Sequence, residues 1–487
     1  MQTVHAPALN ANNLPWFNVH KPLDLPDLKG KVTILDFWTF CCINCIHIIP
    51  TLKNLENRFP KSLAVIGVHS PKFPGEKNVD NVQKAIERYE IAHPIVHDTD
   101  FSIWKQYTVR AWPTLIFISP DGYILGQLPG EPDPKMLEMT MAQLLEDFEK
   151  KGALEGNAED LLKQQEKQSN EGALKFPGKI SYSTEDNEFA IADSNHNQIV
   201  TANRKGEITR RIGTGNIGKK NGSFEESEFF RPQGLHYENG AIWIADTENH
   251  MIRHINLNTG MVSTSAGTGT QGPPLQGQSI ATSAALSSPW DVQLVGDQVY
   301  FANAGTHQIG ALDIKQKIVS RFAGTGQEAL LNGLRSEGAF AQPSGLSYGE
   351  DKLFLADSET SAIRSVRIDK AGFIATYVGT GLFDFGDKDG RGKEALLQHP
   401  LGVFYSNGKI YIADSYNNKI KTLDLKTQEV VVVQASVNIV CDDTNCSKLW
   451  EPAGVIEVGN SLFVSDTNNH RILKIDLITE KTEIFIK

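Results

Sequence analysis

From residue 193 onward, short apolar runs alternate with clusters of turn residues, and one pattern recurs six times. Each copy ends an apolar run on Asp or Asn and places Ile six residues later. Each also carries an upstream Pro, 14 residues before the Asp position in five copies and 16 in the first. The Asp or Asn positions are Asp193, Asp246, Asn303, Asp357, Asp414 and Asp466, and the prolines are Pro177, Pro232, Pro289, Pro343, Pro400 and Pro452. Four short strands per copy, without an amphipathic helix, predict a six-bladed β-propeller.

The first 150 residues follow a different pattern, in which buried strands alternate with helical periodicity. An apolar strand over residues 31–35 runs into Asp36 and then into Cys41-Cys42-Ile43-Asn44-Cys45. A helical pattern follows the cysteines, and the remaining predicted elements are strands at 63–68, 95–97, 114–118 and 123–128 and helices near 79–89 and 135–151. This alternation is typical of an α/β domain.

Composition narrows the class of protein. The length of 487 residues, with 40% hydrophobic and 22% charged residues, fits two or three folded domains. The amino terminus lacks a basic segment followed by an apolar one, and the longest apolar stretch, 430–440, is interrupted by polar residues. We therefore expect no signal peptide, no membrane span and a cytoplasmic location. A net charge of −11 gives no basic excess for phosphate binding, so nucleic acid is not an expected partner.

Cysteine placement supplies the candidate chemistry. The chain has five cysteines, too few for a secreted disulfide scaffold, and three of them are Cys41, Cys42 and Cys45. At the start of a helix, Cys42 would meet the positive end of the helix dipole and free N–H groups, which favour the thiolate. Cys45 follows one turn later on the same face, where it can attack a mixed disulfide formed at Cys42. A redox-active Cys42–Cys45 disulfide is therefore the expected centre.

Other uses of the cysteines stay open at this point. A CxxC motif is often half of a zinc site, but zinc needs two further ligands nearby. Cys441 and Cys446 are separated by four residues and belong to the other domain, where they are incidental thiols or form a local disulfide. Cys41 could act as an accessory thiol or pack as a small apolar residue.

The order of strand, CxxC motif and helix, with an apolar strand after Pro113 and a hairpin following it, resembles the thioredoxin fold. The resemblance covers roughly residues 16–150. It implies that Pro113 is a cis proline that keeps an extended backbone edge open for a substrate. It also implies that Asp36 is buried and assists proton transfer for Cys45.

The motif departs from the usual thioredoxin centre. Thioredoxins carry Gly-Pro between the two cysteines, whereas this chain has Ile43 and Asn44. Cys41 stands where thioredoxins have Trp. Because the residues between the cysteines strongly influence the reduction potential, the direction of electron flow is not predicted.

In the repeats, the phrase Ala-Asp-x-x-Asn-His-x-Ile resembles the NHL repeat, where it forms a turn between two strands of a blade. We expect its Asp to accept backbone N–H groups inside the turn. A metal-binding role for the repeat histidines is disfavoured, because other blades have Asn or Ser at this position and the turns of different blades lie far apart. The histidines are His250, His307 and His470, and their counterparts are Asn197, Ser361 and Asn418.

Together the two parts resemble the family of NHL-repeat-containing protein two and its bacterial relatives over nearly the whole chain. The predicted organisation is a thioredoxin-like domain over residues 1–150, a charged linker over 151–175 and an NHL-repeat propeller over 176–487. The oligomeric state is not predicted.

Three functions from different classes compete. The leading hypothesis is a thiol–disulfide oxidoreductase that acts on protein thiols or disulfides, with a propeller that binds protein partners. It needs no metal and no cofactor beyond the cysteine pair. The alternative is a redox-inactive interaction scaffold with a vestigial thioredoxin fold. A hydrolase or lyase with a metal in the propeller channel would need inward-facing His, Asp or Glu residues from several blades.

Overall fold

The computed structural model describes residues 4–9, 13–161, 172–370, 372–437, 439 and 448–487. Cys441 and Cys446, with their predicted local pairing, lie outside the described residues. Contacts divide the chain into two compact units, Met1–Ser169 and Asn170–Lys487.

The first unit is built on one six-stranded mixed sheet with the strand order β1-β4-β3-β2-β5-β6. Its elements are β1 (Trp16–Phe17), β2 (Val32–Trp38), α1 (Ile43–Arg58), β3 (Leu63–His69), α2 (Val79–Tyr89), β4 (Ile95–His97), α3 (Ser102–Gln106), β5 (Thr114–Ile118), β6 (Ile124–Pro129) and α4 (Pro134–Lys150). Strand β2 pairs in parallel with β3 and antiparallel with β5. This is the predicted thioredoxin-like fold.

Strand β2 is buried along its whole length because both faces of the sheet are covered. Ile34 on one face packs with residues of α1 and α4, and Phe37 on the other packs with α3 and the amino-terminal segment. Elements β1 and α3 were not predicted. They have two and five residues, too few to show a hydrophobic period.

The first part of the predicted charged linker packs against this unit. The Ala158 N–H donates to the Lys61 carbonyl at 3.1 Å, and Glu155 N–H donates to the Gly30 carbonyl at 2.8 Å. Leu154 and Ala158 pack against its hydrophobic clusters. Two backbone hydrogen bonds and a few apolar side chains, including that of Leu161, therefore hold this polar segment on the domain.

The second unit is the predicted propeller, with six antiparallel sheets among the described residues. Short strands extend the outer edges of blades 2 to 5. Blade 1 contains β7 (Pro177–Ser183), β8 (Glu188–Asp193), β9 (Gln198–Ala202) and β10 (Ile208–Ile212); blade 2, β11 (Gly222–Ser223), β12 (Leu235–Glu238), β13 (Ala241–Asp246), β14 (Met251–Asn256) and β15 (Met261–Ala266); blade 3, β16 (Gln278–Ile280), β17 (Pro289–Val295), β18 (Gln298–Asn303), β19 (Gln308–Asp313) and β20 (Ile318–Ala323). Blade 4 contains β21 (Gly333–Leu334), β22 (Pro343–Gly349), β23 (Lys352–Asp357), β24 (Ala362–Arg367) and β25 (Phe373–Val378); blade 5, β26 (Gly390–Arg391), β27 (Gly402–Ser406), β28 (Lys409–Asp414), β29 (Lys419–Asp424) and β30 (Glu429–Val432); blade 6, β31 (Pro452–Val458), β32 (Ser461–Asp466), β33 (Arg471–Asp476) and β34 (Thr482–Ile486).

The ring closes where blade 6 packs against blade 1, and within the described ranges each of these two sheets is formed by consecutive strands. The ring of Phe189 in blade 1 packs at a tilt against that of Phe463 in blade 6, with the ring centroids 4.5 Å apart. The Thr467 hydroxyl donates to the Pro177 carbonyl at 2.8 Å. The same hydroxyl-to-proline bond joins four other neighbouring blades, through Ser194 to Pro232, Thr247 to Pro289, Ser358 to Pro400 and Ser415 to Pro452.

The repeat Asp has a different partner from the predicted one. Asp246 accepts the backbone N–H of Phe230 at 2.8 Å, from the segment that leads into the blade, and within its turn it accepts the side-chain amide of Asn249 at 2.8 Å but no backbone N–H. Its other carboxylate oxygen accepts from Arg253 at 2.9 Å. The prediction was wrong on this point, because the N–H ahead of the innermost strand is the donor that the buried Asp satisfies.

The repeat histidines are structural, as predicted. His250 adopts a left-handed backbone conformation (φ 54°) at the end of its turn, and its Nδ1 accepts the Ser288 N–H at 3.0 Å. Ser288 precedes the repeat proline of the next blade. Equivalent bonds run from Gln342 to His307, Phe176 to His470, Arg231 to Asn197, Glu451 to Asn418 and His399 to Ser361. An imidazole nitrogen, an amide oxygen or a hydroxyl oxygen can each accept the backbone N–H that precedes the next repeat proline. This shared role explains why His, Asn and Ser all occur at this position of the repeat.

Candidate redox site

The cysteine pair lies at the amino-terminal end of α1. Cys42 is the N-cap residue of the helix, and its Sγ accepts the backbone N–H of Cys45 at 3.3 Å. Cys42 is half-buried, whereas Cys45 is only 1% exposed. Both are free thiols in this structure. The sulfur of Cys42 is therefore partly accessible to solvent, whereas that of Cys45 is enclosed.

Burial raises the pKa of the Cys45 thiol well above its usual range. A hydrogen bond to Cys42 and the negative charges of Cys42 and Asp36 raise it further, while a backbone hydrogen bond at Thr39 opposes them. Cys45 therefore remains protonated at neutral pH unless a neighbouring base removes its proton.

Asp36 is the carboxyl group that acts on Cys45 from the centre of the sheet. It lies on β2 and is 2% exposed, and its Oδ1 has no hydrogen-bond partner within the described part of the chain. Burial raises the pKa of Asp36 to about 7, against the opposing positive charge of His93. A buried carboxyl that changes charge near neutral pH is suited to exchange protons with a buried thiol.

Pro113 lies at the end of the sheet from which the cysteine loop leaves. The Trp112–Pro113 peptide bond is cis, as the resemblance implies. Strand β5 begins at the next residue, and Thr114 pairs with Phe37 of β2. Continuing this register places Pro113 beside Trp38, at the exit of β2 toward the cysteines.

Cys41 and the loop after β3 are held by one buried carboxylate that sequence reasoning missed. Glu76 is fully buried, and its Oε1 accepts the Thr39 hydroxyl at 2.7 Å and the Cys41 N–H at 3.0 Å. Its Oε2 accepts the N–H groups of Lys72 and Phe73 at 2.7 and 2.9 Å. Glu76 therefore ties the backbone immediately before Cys42 to the neighbouring loop.

A second pair links α1 to the segment around Pro113. His47 Nδ1 lies 3.0 Å from a carboxylate oxygen of Glu131, and the His47 side chain is 2% exposed. Gly130 donates its N–H to the Pro113 carbonyl at 2.8 Å. The amino-terminal half of the helix is thus connected to the loop that follows the proline strand.

The channel of the propeller contains a cavity that is separate from the cysteine pair in sequence and chemistry. The cavity has a volume of about 290 Å³ and is lined by the innermost strands of all six blades. The Lys179 ammonium in this channel donates to the carbonyl groups of Leu401 and Ala453. Within the described residues, no three His, Cys, Asp or Glu side chains are grouped closely enough to hold a metal ion. No helix of those residues has the length and apolarity to cross a membrane.

Comparison with known proteins shows which family this chain is similar to. The thioredoxin-like family model matches residues 30–124. The chain is 40% identical to NHL repeat-containing protein 2 of Bos taurus, over 97% of this chain and 70% of that protein. It is 42% identical to SUPPRESSOR OF QUENCHING 1, chloroplastic, of Arabidopsis thaliana, over 96% of this chain and 46% of that protein.

A further relative matches a smaller part of this chain. The thiol-disulfide oxidoreductase ResA of Bacillus thuringiensis subsp. konkukian is 27% identical over 24% of this chain and 66% of its own length. The long matches extend through both the thioredoxin-like domain and the six-bladed propeller. The chain belongs to the family of NHL repeat-containing protein 2.

Proposed function

We propose that the thioredoxin-like domain is a thiol–disulfide oxidoreductase that acts on protein thiols or disulfides. The observation that carries this proposal is the pairing of a half-buried Cys42 with a buried Cys45, near a buried Asp36 whose Oδ1 has no hydrogen-bond partner among the described residues. An interaction domain has no need to keep a carboxyl group buried beside a buried thiol, since burial of a charge destabilises the fold.

In the reducing direction, the Cys42 thiolate attacks a substrate disulfide, forms a mixed disulfide and expels one substrate thiolate. Asp36 takes the proton of Cys45, and the new Cys45 thiolate attacks the Cys42 sulfur. The Cys42–Cys45 bond forms, and the second substrate sulfur leaves as a thiolate. The substrate gains the two electrons that the cysteine pair loses, and a dithiol reductant must then restore the pair.

Pro113 is proposed to form the edge along which an extended substrate segment lies. Proline has no N–H, so the backbone at this position cannot donate to a neighbouring strand of its own domain. The indole N–H of Trp112 donates to the Ser70 carbonyl at 3.1 Å, which holds the preceding side chain against the loop after β3. Main-chain recognition of this kind suits protein substrates of varied sequence.

The propeller is proposed to bind protein partners through the loops of its blades and so to bring substrates to the cysteine pair. No metal and no cofactor beyond the disulfide is required. A cytoplasmic location stays a prediction, and one relative is named chloroplastic. A redox-inactive scaffold is the competing function, and it predicts no dependence of any activity on Cys42.

The test is reduction of insulin disulfides by dithiothreitol with the full chain as catalyst. We expect Cys42→Ser to lower the catalysed rate about 100-fold, and Cys45→Ser to accumulate a covalent mixed disulfide between Cys42 and an insulin chain. Cys446→Ser, in the other unit, is the matched control and should keep the wild-type rate. A wild-type rate no higher than that of Cys42→Ser would contradict the proposal.

A further inference from the structure

The sheet leaves a gap beside Asp36 that a histidine fills. Asp36 of β2 and Gly67 of β3 are partners in a parallel register, so a side chain at position 67 would project on the same face as the carboxyl. A Cβ atom at Gly67 would lie 2.9 Å from Cγ1 of Ile95 and 3.5 Å from Nε2 of His93. A Cβ atom here would also lie 3.0 Å from the indole nitrogen of Trp38, so Ile95 and Trp38 favour glycine, and Nε2 of His93 lies at contact distance from this position on the Asp36 face.

On the other side of the His93 ring, Nδ1 faces a carboxyl group that is partly exposed to solvent. His93 is 3% exposed, and its Nδ1 lies 3.2 Å from a carboxylate oxygen of Glu56. The Glu56 side chain is 23% exposed and lines a cavity of about 240 Å³ that also contacts Lys53 and Pro94. When the Glu56 carboxylate accepts the proton on Nδ1, Nε2 of the neutral ring is the free acceptor on the Asp36 side.

The charged groups around Asp36 and His93 are consistent with proton transfer between these two side chains. The titratable groups that act on Asp36 are Cys45 of α1 and His93, while β5 presents Leu115 at the paired position. Burial lowers the pKa of His93, but Glu56 and Asp36 outweigh burial and leave it raised. Burial thus raises the pKa of Asp36, and the two carboxyl groups raise the pKa of His93, so each group can take up a proton from the other.

We propose that His93 and Glu56 form a proton path that returns Asp36 to its carboxylate form after Asp36 has taken the proton of Cys45. The inference rests on the proposed oxidoreductase function and extends it. Neutral His93 accepts the Asp36 proton at Nε2 and releases the proton on Nδ1 to the Glu56 carboxylate. Glu56 then gives that proton to water, so no proton is created or lost along the path.

The path separates the proton exit from the substrate. Cys45 and Glu56 lie on the same helix, and eleven residues of α1 correspond to about 16 Å. A substrate held on Cys42 covers the start of the helix, whereas the proton leaves near its other end. The resolving step can then run to completion while the substrate stays bound.

The experiment is stopped-flow reaction of the reduced full chain with 5,5′-dithiobis(2-nitrobenzoate), in a background with Cys441→Ser and Cys446→Ser. The first thionitrobenzoate reports attack by Cys42, and the second reports attack by Cys45 on the mixed disulfide. Both rates are measured from pH 5 to 9 for the background protein and for His93→Gln and Glu56→Gln. His20→Gln, which changes an exposed histidine of the same unit, is the matched control.

We expect His93→Gln to slow the second release about 10-fold near pH 7 and to shift its pH dependence, with the first release unchanged. Glu56→Gln should slow the second release less, by about 3-fold, and because its side chain is partly exposed it tests the path without removing a buried group. A normal second release in both variants would overturn the proton path and leave the oxidoreductase function intact. Absence of a second release in the background protein would instead contradict the oxidoreductase function.

Discussion

Lys179 Nζ lies 4.0 Å from Oδ2 of Asp291, inside the propeller channel. The two residues occupy the same place in blades 1 and 3, two positions after the repeat proline, where the other four blades have glycine. Both side chains are almost completely buried. Lys179 and Asp291 are therefore the two residues that replace the repeat glycine, and each side chain carries the charge that neutralises the other.

Removing both partners of this pair should destabilise the propeller less than the sum of the two single removals. Lys179→Ala leaves the buried Asp291 carboxyl without its cation, and we expect the free energy of unfolding of the propeller to fall by about 3 kcal/mol. Burial already raises the pKa of Asp291 to about 6, so the loss should grow as the pH rises above that value. The double variant Lys179→Ala/Asp291→Ala should be less destabilised than the sum of the two single changes, as measured by urea unfolding at pH 5 and 8. Strict additivity at both pH values would contradict the pairing.

The hydroxyl bond between blades is missing at one place and can be added. Ala304 follows the repeat Asn303 in blade 3, where five blades carry Ser or Thr bonded to the next repeat proline. Ala304→Ser should donate to the Pro343 carbonyl and stabilise the propeller by about 1 kcal/mol. Thr247→Val, which removes such a bond, should destabilise it by a similar amount in thermal unfolding. A destabilising Ala304→Ser would show that the site cannot admit the hydroxyl.

The stability of the first unit should depend on pH through Asp36. The folded-state pKa of about 7 is above the ordinary value of 3.8, so the stability that the neutral carboxyl contributes is present at low pH and is lost as pH rises through 7. Asp36→Asn has no charge to bury. We expect it to raise the free energy of unfolding by roughly 2 to 4 kcal/mol at pH 8, with little difference at pH 4. Equal gains at both pH values would contradict this assignment.

Glu76 should affect the geometry before Cys42 without taking part in the chemistry. Glu76→Gln keeps the size of the side chain but replaces one acceptor oxygen with a donor that faces N–H groups. We expect a loss of about 2 kcal/mol in the free energy of unfolding and a slower attack by Cys42. Glu149→Gln, on the exposed side of α4, is the control and should change neither quantity.

Local sequence patterns predicted the blades because the sequence separation between the repeat Pro and the repeat Asp is nearly constant. A constant separation is expected when the two residues lie opposite each other on the paired strands of a hairpin. These patterns did not predict the partner of Asp246, since Phe230 approaches it only after the blade has folded. Glu76 lies in the polar segment Pro74-Gly75-Glu76-Lys77, which has the composition of a solvated turn, so its burial depends on the packing of two distant loops. His93 likewise lies far from Asp36 in sequence, and the two act on each other only after strands β2, β3 and β4 have assembled side by side.

The most direct test of the central claim is the reduction potential of the Cys42–Cys45 pair, measured by equilibration with glutathione and mass-spectrometric mapping of the disulfide. We predict a reversible bond between these two cysteines, with a potential between about −270 and −120 mV, the range from thioredoxin to strong oxidants. Its value sets the direction of electron flow. No disulfide in oxidising buffer, or one that joins other cysteines, would contradict the account and favour the scaffold.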